Sequence, residues 1–399
     1  MSPFRKLVPF ADQAKKNGKH VYHLNIGQPD IETPAFALNE LRQSTFKVLA
    51  YSPAVGNLSY REKLVEYYAG YGVPLHPDHF IVTTGASEGI QLAMYACLNA
   101  GDQIIVPEPF YANYNGFAQI ANVDIVPITC QIKNGFALPE ISQFEAKINS
   151  RTKGIFITNP NNPTGCFYSR ATLEALGALA VKHDLFLFVD EVYREFCYDG
   201  NEFYSALNIA GAEDNVIVMD SISKKYSACG ARIGTVVTRN EAVLETITRY
   251  AKLRLSPPGL GQMLAEAMLD MAPDYMKQVQ DEYRRRREVV YKRLSNMEQV
   301  VSYLPGGAFY CFASFPIDSA DRFCRWLLED FDYKGATVML SPGEGFYATP
   351  GLGQQEVRIA YVLNSVDLEA AMDCLEKALQ VYPGRRKDTT KEAQTLVAR

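Results

Sequence analysis

The chain has 399 residues, a net charge of −5 and 47% hydrophobic residues, enough to bury a sizeable core in about two domains. Its acidity argues against a nucleic-acid partner, and no apolar run reaches the length of a membrane span. The eight cysteines are scattered, with no C-x-x-C pair, and read as reduced thiols of a cytoplasmic protein rather than a disulfide framework.

The first twenty residues form a basic arm with one short helical pattern and no secretory signal. HLNIGQPD (His23–Asp30) is extended and ends in a turn; 39–48 has a helical pattern, and a second helix starts near Ser59. His76 and His79 lie in a Pro-rich loop without a further ligand, so no metal is expected. From residue 80 strands and helices alternate: HFIVTTG, QIIVPEP, DIVPITC, GIFITN, LFLFVDE, VIVMD and GTVVT are apolar strand patterns. Ser169 is a candidate N-cap for the helix RATLEALGALAVKHD. Near-continuous apolar strands alternating with helices imply an α/β fold with a mostly parallel sheet covered on both faces. The boundaries expected are a large domain at 48–285, a smaller α+β domain built from 1–47 and 286–384, and a polar tail at 385–399. The run RRRRE in the helix after residue 273 reads as a solvated face.

Chemistry-bearing residues gather at the strand ends, where α/β sheets bind ligands. Lys224, in SISKKYSACGARIG, follows the strand VIVMD and is flanked by Ser221 and Ser223, with Arg232 eight residues on. An amine beside hydroxyls and a guanidinium suits a phosphorylated carbonyl compound, held as a Schiff base. The neighbouring Lys225 reads as solvated. TTGASEGI is a glycine turn opening a helix, whose free backbone N–H groups suit an anion, but taken alone it reads as an ordinary βα turn. NPNNPTG is a rigid turn that can aim Asn162 at a ligand, and there structural and binding roles are evenly matched. Asp190 ends an apolar strand and therefore needs a cation, which a protonated ring nitrogen or an arginine would supply; Tyr193 lies three residues on. Arg358 interrupts the apolar strand EVRIAYV and suits a carboxylate. Together these groups match the needs of pyridoxal phosphate chemistry on amino acids.

With these motifs in this order, the chain resembles the class I/II aminotransferases, the fold-type I pyridoxal-phosphate enzymes related to aspartate aminotransferase, from LNIGQPD to the last helix. The resemblance implies a seven-stranded sheet in the large domain, and it implies roles. Lys224 joins the cofactor and moves the proton; Asp190 pairs with the ring nitrogen; Asn162 and Tyr193 bond the ring oxygen; Tyr111 stacks on the ring. Ala86, Ser87, Ser221, Ser223 and Arg232 match phosphate-binding positions. Tyr51 matches a tyrosine that reaches the phosphate of a neighbouring subunit, which implies a homodimer with shared sites. Arg358 and Gly27 match contacts to the substrate α-carboxylate.

The function implied is exchange of an amino group between an L-amino acid and a 2-oxo acid by a ping-pong cycle, aspartate aminotransferase-like. Ser87 stands where one aspartate-specific branch has a lysine, and Lys252 and Arg254 precede the SPP loop near which another branch places an arginine. Aromatic or broad-range transamination therefore remains an alternative, as does C–S β-elimination on the same apparatus. A non-catalytic scaffold is disfavoured because Lys224 and Asp190 are both present.

Overall fold

The apolar runs become strands of one sheet. The computed structural model describes residues 5–386; the expected tail, 385–399, lies outside them apart from its first two residues. The seven-stranded sheet runs in the order Phe80–Thr83, Gly234–Val237, Val216–Ser221, Phe186–Asp190, Thr152–Thr158, Gln103–Glu108 and Asp124–Thr129. Only Gly234–Val237 runs against its neighbours; the rest of the ladder from Val216 onward is parallel.

Strands with both faces covered lose the polar alternation of an exposed sheet, but the period of two still sorts their side chains. Ile155, Ile157, Leu187, Val189, Val216 and Val218 enter one core, and Phe156, Phe188, Ile217 and Met219 enter the core on the opposite face. Helices close both faces. Arg170–Lys182 starts at Ser169, whose side chain accepts from the Thr172 N–H at 3.3 Å; Glu241–Arg254 starts at Asn240, which accepts from Val243 N–H at 3.0 Å.

A third core lies outside this sheet. Its strands are Tyr310–Ser314, Glu356–Ala360 and the short Ser341–Pro342, all antiparallel. The strand Ala336–Met339 pairs instead with His20–His23, in parallel, so the N-terminal segment is stitched to the C-terminal part of the chain. Among the described residues no helix is long and apolar enough to cross a membrane.

Two sequence expectations change. The helix expected at 39–48 is Ala35–Gln43, because the Ser44 Oγ donates to the Leu41 carbonyl at 2.8 Å and the backbone turns extended there. The arginine run on the helix Pro273–Asn296 is only half solvated. Arg284 and Arg285 are exposed, but Arg286 and Arg287 are 4% and 2% exposed. Arg286 pairs with Asp30 and Glu282, and Arg287 is held by both carboxylate oxygens of Asp199 at 2.6 and 2.9 Å. Helical spacing puts successive arginines on different faces, which a string of like charges conceals.

Removing one partner of a buried charge strands the other. Asp199→Ala should therefore lower stability by about 2 kcal/mol in urea unfolding, whereas Arg285→Ala should change it by less than about 0.5 kcal/mol.

Candidate active site

The parallel strands end together at Glu108, Thr158, Asp190 and Ser221. Beyond that edge lies a cavity of about 340 Å³, lined by Gly27, Ala86, Ser87, Tyr111, Asn162, Asp190, Tyr193, Ser221, Ser223, Lys224, Arg232 and Arg358. Residues spread over more than three hundred positions thus meet in one place; of the residues singled out, Tyr51, Lys252 and Arg254 are elsewhere.

Lys224 sits on the four-residue helix Ile222–Lys225, whose start is capped by Ser221, with Oγ accepting from Ser223 N–H at 3.1 Å. Its Nζ donates to the Gly27 carbonyl at 2.8 Å and lies 3.9 Å from the Cys229 Sγ. Burial lowers the amine's pKa; nearby Arg358 and Arg232 push the same way, against Cys229 and Asp190. Gly27 is required by close approach, since a Cβ there would stand 1.7 Å from the Tyr310 Oη.

Asp190 is buried at the strand end. Its Oδ2 accepts from the Tyr114 phenol at 2.7 Å and its Oδ1 from the Val192 N–H at 3.2 Å. Burial nevertheless raises its pKa to about 6. Among the described residues no lysine, arginine or histidine forms an ion pair with it. The carboxylate is therefore preorganised for a cation that arrives from the cavity.

On the opposite wall Arg358 donates to Asn162 Oδ1 at 3.0 Å and to the Asn25 carbonyl at 2.6 Å, with its guanidinium 4.6 Å from the Tyr310 ring centroid. Asn162 Nδ2 reaches the Tyr193 Oη at 3.4 Å, and Tyr193 and Tyr310 share a hydrogen bond of 2.8 Å between their phenols. At the third corner, Arg232 packs against Gly85, whose φ is +74° and where a Cβ would come within 2.4 Å of its Nη2. Gly85 opens the helix Gly85–Cys97, and Ala86 and Ser87 of its first turn line the cavity together with Arg232 and with Ser221 and Ser223, whose hydroxyls are 2.8 Å apart. A helix N-terminus, a guanidinium and two hydroxyls together make an anion cradle. The glycine turn, which alone reads as an ordinary βα turn, lies beside that guanidinium and those hydroxyls.

Other expectations are corrected or relocated. Lys225 is not solvated: it is 2% exposed and its Nζ is 2.9 Å from Asp220 Oδ2. Arg254 lies outside the cavity; Glu88 Oε2 accepts from it at 2.7 Å and the Ala54 carbonyl at 2.6 Å, while Lys252 is exposed. Tyr51 is 80% exposed and lies in a separate depression of about 880 Å³ beside Phe36, Phe46 and Leu49. Two residues were missed. Tyr114 was signalled by its place three residues, about one helical turn, after Tyr111. Tyr310 carries no motif, because its place depends on the distant strand register that sets Phe312 against Arg358.

A family profile described as Aminotransferase class I and II matches residues 19–375. The chain belongs to that family. It is 31% identical to an aspartate aminotransferase of Pyrococcus horikoshii, over 90% of this chain and 91% of that one. It is 30% identical to aromatic-amino-acid aminotransferase 2 of Thermococcus litoralis, over 95% and 96%. The fold superposes on an alanine aminotransferase from Pyrococcus furiosus with a TM-score of 0.85 and 31% identity, over 94% and 96% of the two chains. The protein is an aminotransferase, with the fold-type I architecture that its sequence resemblance implied.

The displaced Asp190 pKa sets a pH signature on the cofactor-free protein. Its folded-state value lies above the ordinary 3.8, so the folded chain holds this proton more tightly and loses stability as pH rises from about 4 through 6. Asp190→Asn escapes that loss. It should match wild type near pH 4 and exceed it by up to about 3 kcal/mol above pH 7 in urea unfolding.

Proposed function

We propose that this cavity holds pyridoxal 5'-phosphate and exchanges an amino group between an L-amino acid and a 2-oxo acid. The observation that carries the reading is one cavity containing a half-buried amine, a buried carboxylate with no ion-pair partner among the described residues, and an anion cradle, at separate corners. The chain's groups fit the cofactor: Asp190 suits a protonated ring nitrogen, Asn162 and Tyr193 a phenolic oxygen, Tyr111 a ring face, and the Gly85 turn with Ala86, Ser87, Ser221, Ser223 and Arg232 a phosphate. When bound, that group supplies an aldehyde to carry the amino group and a ring to take up electrons.

The protein's own work is binding and proton movement. Arg358, already aimed by Asn162 and the Asn25 carbonyl, holds the substrate α-carboxylate with Gly27. Lys224, whose neutral form burial favours, takes the proton from the substrate α-carbon. The Tyr193–Tyr310 phenol pair keeps the Asn162 side of the site in register.

The reading is aspartate aminotransferase-like, as the likeness to the Pyrococcus horikoshii enzyme supports. A second reading, an aromatic or broad-range side chain, is favoured by one observation. Arg254 is engaged by Glu88, and the cationic side chains lining the cavity, Lys224, Arg232 and Arg358, all have other assignments. A distal carboxylate would then have to be read by a neighbouring subunit. We infer a homodimer, in which a second copy covers the exposed apolar surface around Phe46, Leu49 and Tyr51 and receives Tyr51 at its phosphate site. The eight free thiols fit a cytoplasmic setting.

An amino-donor panel of aspartate, alanine, tyrosine, phenylalanine and methionine against 2-oxoglutarate tests the function. Turnover of at least one donor is expected, and none from cofactor-loaded protein would contradict it. Pyruvate release from cystathionine without a keto acid would instead indicate β-elimination. Arg358→Ala should raise the KM for the amino donor at least thirtyfold, from losing about 2 kcal/mol or more of charge-assisted binding, while the visible absorbance of the bound cofactor stays intact.

A further inference from the structure

Behind the cavity, on the far side of the Lys224 turn, is a cluster of buried charge that the reaction does not use. Asp220 is the next-to-last residue of the strand Val216–Ser221. Its Oδ1 accepts from the Ser221 N–H at 2.7 Å, and its Oδ2 accepts from the Lys225 Nζ at 2.9 Å. Lys225 also donates to the Tyr67 phenol at 3.0 Å and stands 4.1 Å from the centroid of that ring. Arg194 approaches the same Asp220 oxygen at 3.7 Å while donating to Glu191 at 2.9 Å and the Tyr68 phenol at 2.6 Å. Burial opposes the charge on Asp220, yet Arg194 and Lys225 hold its carboxyl below the ordinary range.

Two physical constraints give this cluster a task. A four-residue helix has too few internal hydrogen bonds to hold its own shape, so Ile222–Lys225 must be anchored from outside. A buried ion pair gains little stability over apolar packing of the same volume, so its use here is better explained by geometry than by stability. One carboxylate grips both ends of the turn, through the amide of residue 221 and the side chain of residue 225, with Ser223 and Lys224 between. Successive residues of a helix point about 100° apart, so anchoring Lys225 inward fixes the direction in which Lys224 leaves. Arg194 ties this carboxylate to Glu191, the neighbour of Asp190, and so couples the two strand ends.

We propose that Asp220 and Lys225 form a positioning clamp that sets the reach of the Lys224 amine toward the carbonyl it captures. Lys225 is thus a positioning residue acting through the turn; it does not line the cavity. The proposal rests on Lys224 being the reactive amine.

The test uses the full chain freed of cofactor. Capture of pyridoxal 5'-phosphate is followed by its visible absorbance, and affinity for pyridoxamine 5'-phosphate, an amine that cannot react with Lys224, by fluorescence. Lys225→Met should slow capture at least tenfold while pyridoxamine phosphate affinity stays within threefold, since Ser221 remains held by the Ile233 carbonyl at 2.7 Å. Lys225→Arg should restore capture to within threefold of wild type. The double variant Asp220→Asn with Lys225→Met strands no charge, folds independently of the pair, and should be as slow as Lys225→Met. Wild-type capture in either Met variant would overturn the clamp, as would an equal loss of pyridoxamine phosphate affinity. Lys224→Ala separates the underlying reading: if it captures the aldehyde as wild type does, Lys224 is not the amine, whatever Lys225 does.

Discussion

A carboxylate at the end of an all-apolar strand is an expensive group, and the site is arranged around Asp190. The strand must be apolar because both faces of the sheet are covered. Its last residue escapes the core only at the edge where the parallel strands stop. There Tyr114 and the Val192 amide satisfy two directions of the carboxylate, and burial still holds its pKa at about 6. The remaining demand for positive charge faces the cavity. In the proposed function that demand favours a cationic heterocycle over a neutral ligand, with Lys224 and the anion cradle on either side of it.

The opposite wall comes from other parts of the chain and is tied to the first through side chains. Arg358 and Tyr310 lie on adjacent antiparallel strands of the C-terminal sheet. Asn162 and Tyr193 follow strands of the seven-stranded sheet. The bonds Arg358–Asn162 and Tyr310–Tyr193, at 3.0 and 2.8 Å, therefore join the two sheets at the point where substrate would bind. In the proposed function these two hydrogen bonds would couple carboxylate binding to ring binding across that seam. The Asp220–Lys225 clamp performs a similar service beneath the turn, with charge where water is excluded.

Much of this was legible in the sequence because it depends on local rules. The strands announce themselves as apolar runs, Ser169 as a cap, Lys224 by its serines, and Asp190 by the oddity of an acid closing FLFV. What was not legible depends on distant register or on which face a residue takes. Lys225 looked like a surface lysine because nothing in SKKY says that Asp220 and Tyr67 wait on the inner side. Arg286 and Arg287 looked solvated for the same reason. Arg254 looked available for substrate, and only the fold shows Glu88 against it. Tyr310 belongs to the site through a strand pairing that spans some fifty residues.

In the proposed function Lys224, and not its neighbour, is the amine that binds the cofactor's aldehyde. Reduction of the cofactor-loaded protein with borohydride, followed by peptide mapping in a mass spectrometer, reads this directly because the two lysines are adjacent and fragment ions separate them. The reduced pyridoxyl phosphate is expected on Lys224 alone. Its appearance on Lys225, or a fully loaded protein with no modified lysine in this turn, would contradict it.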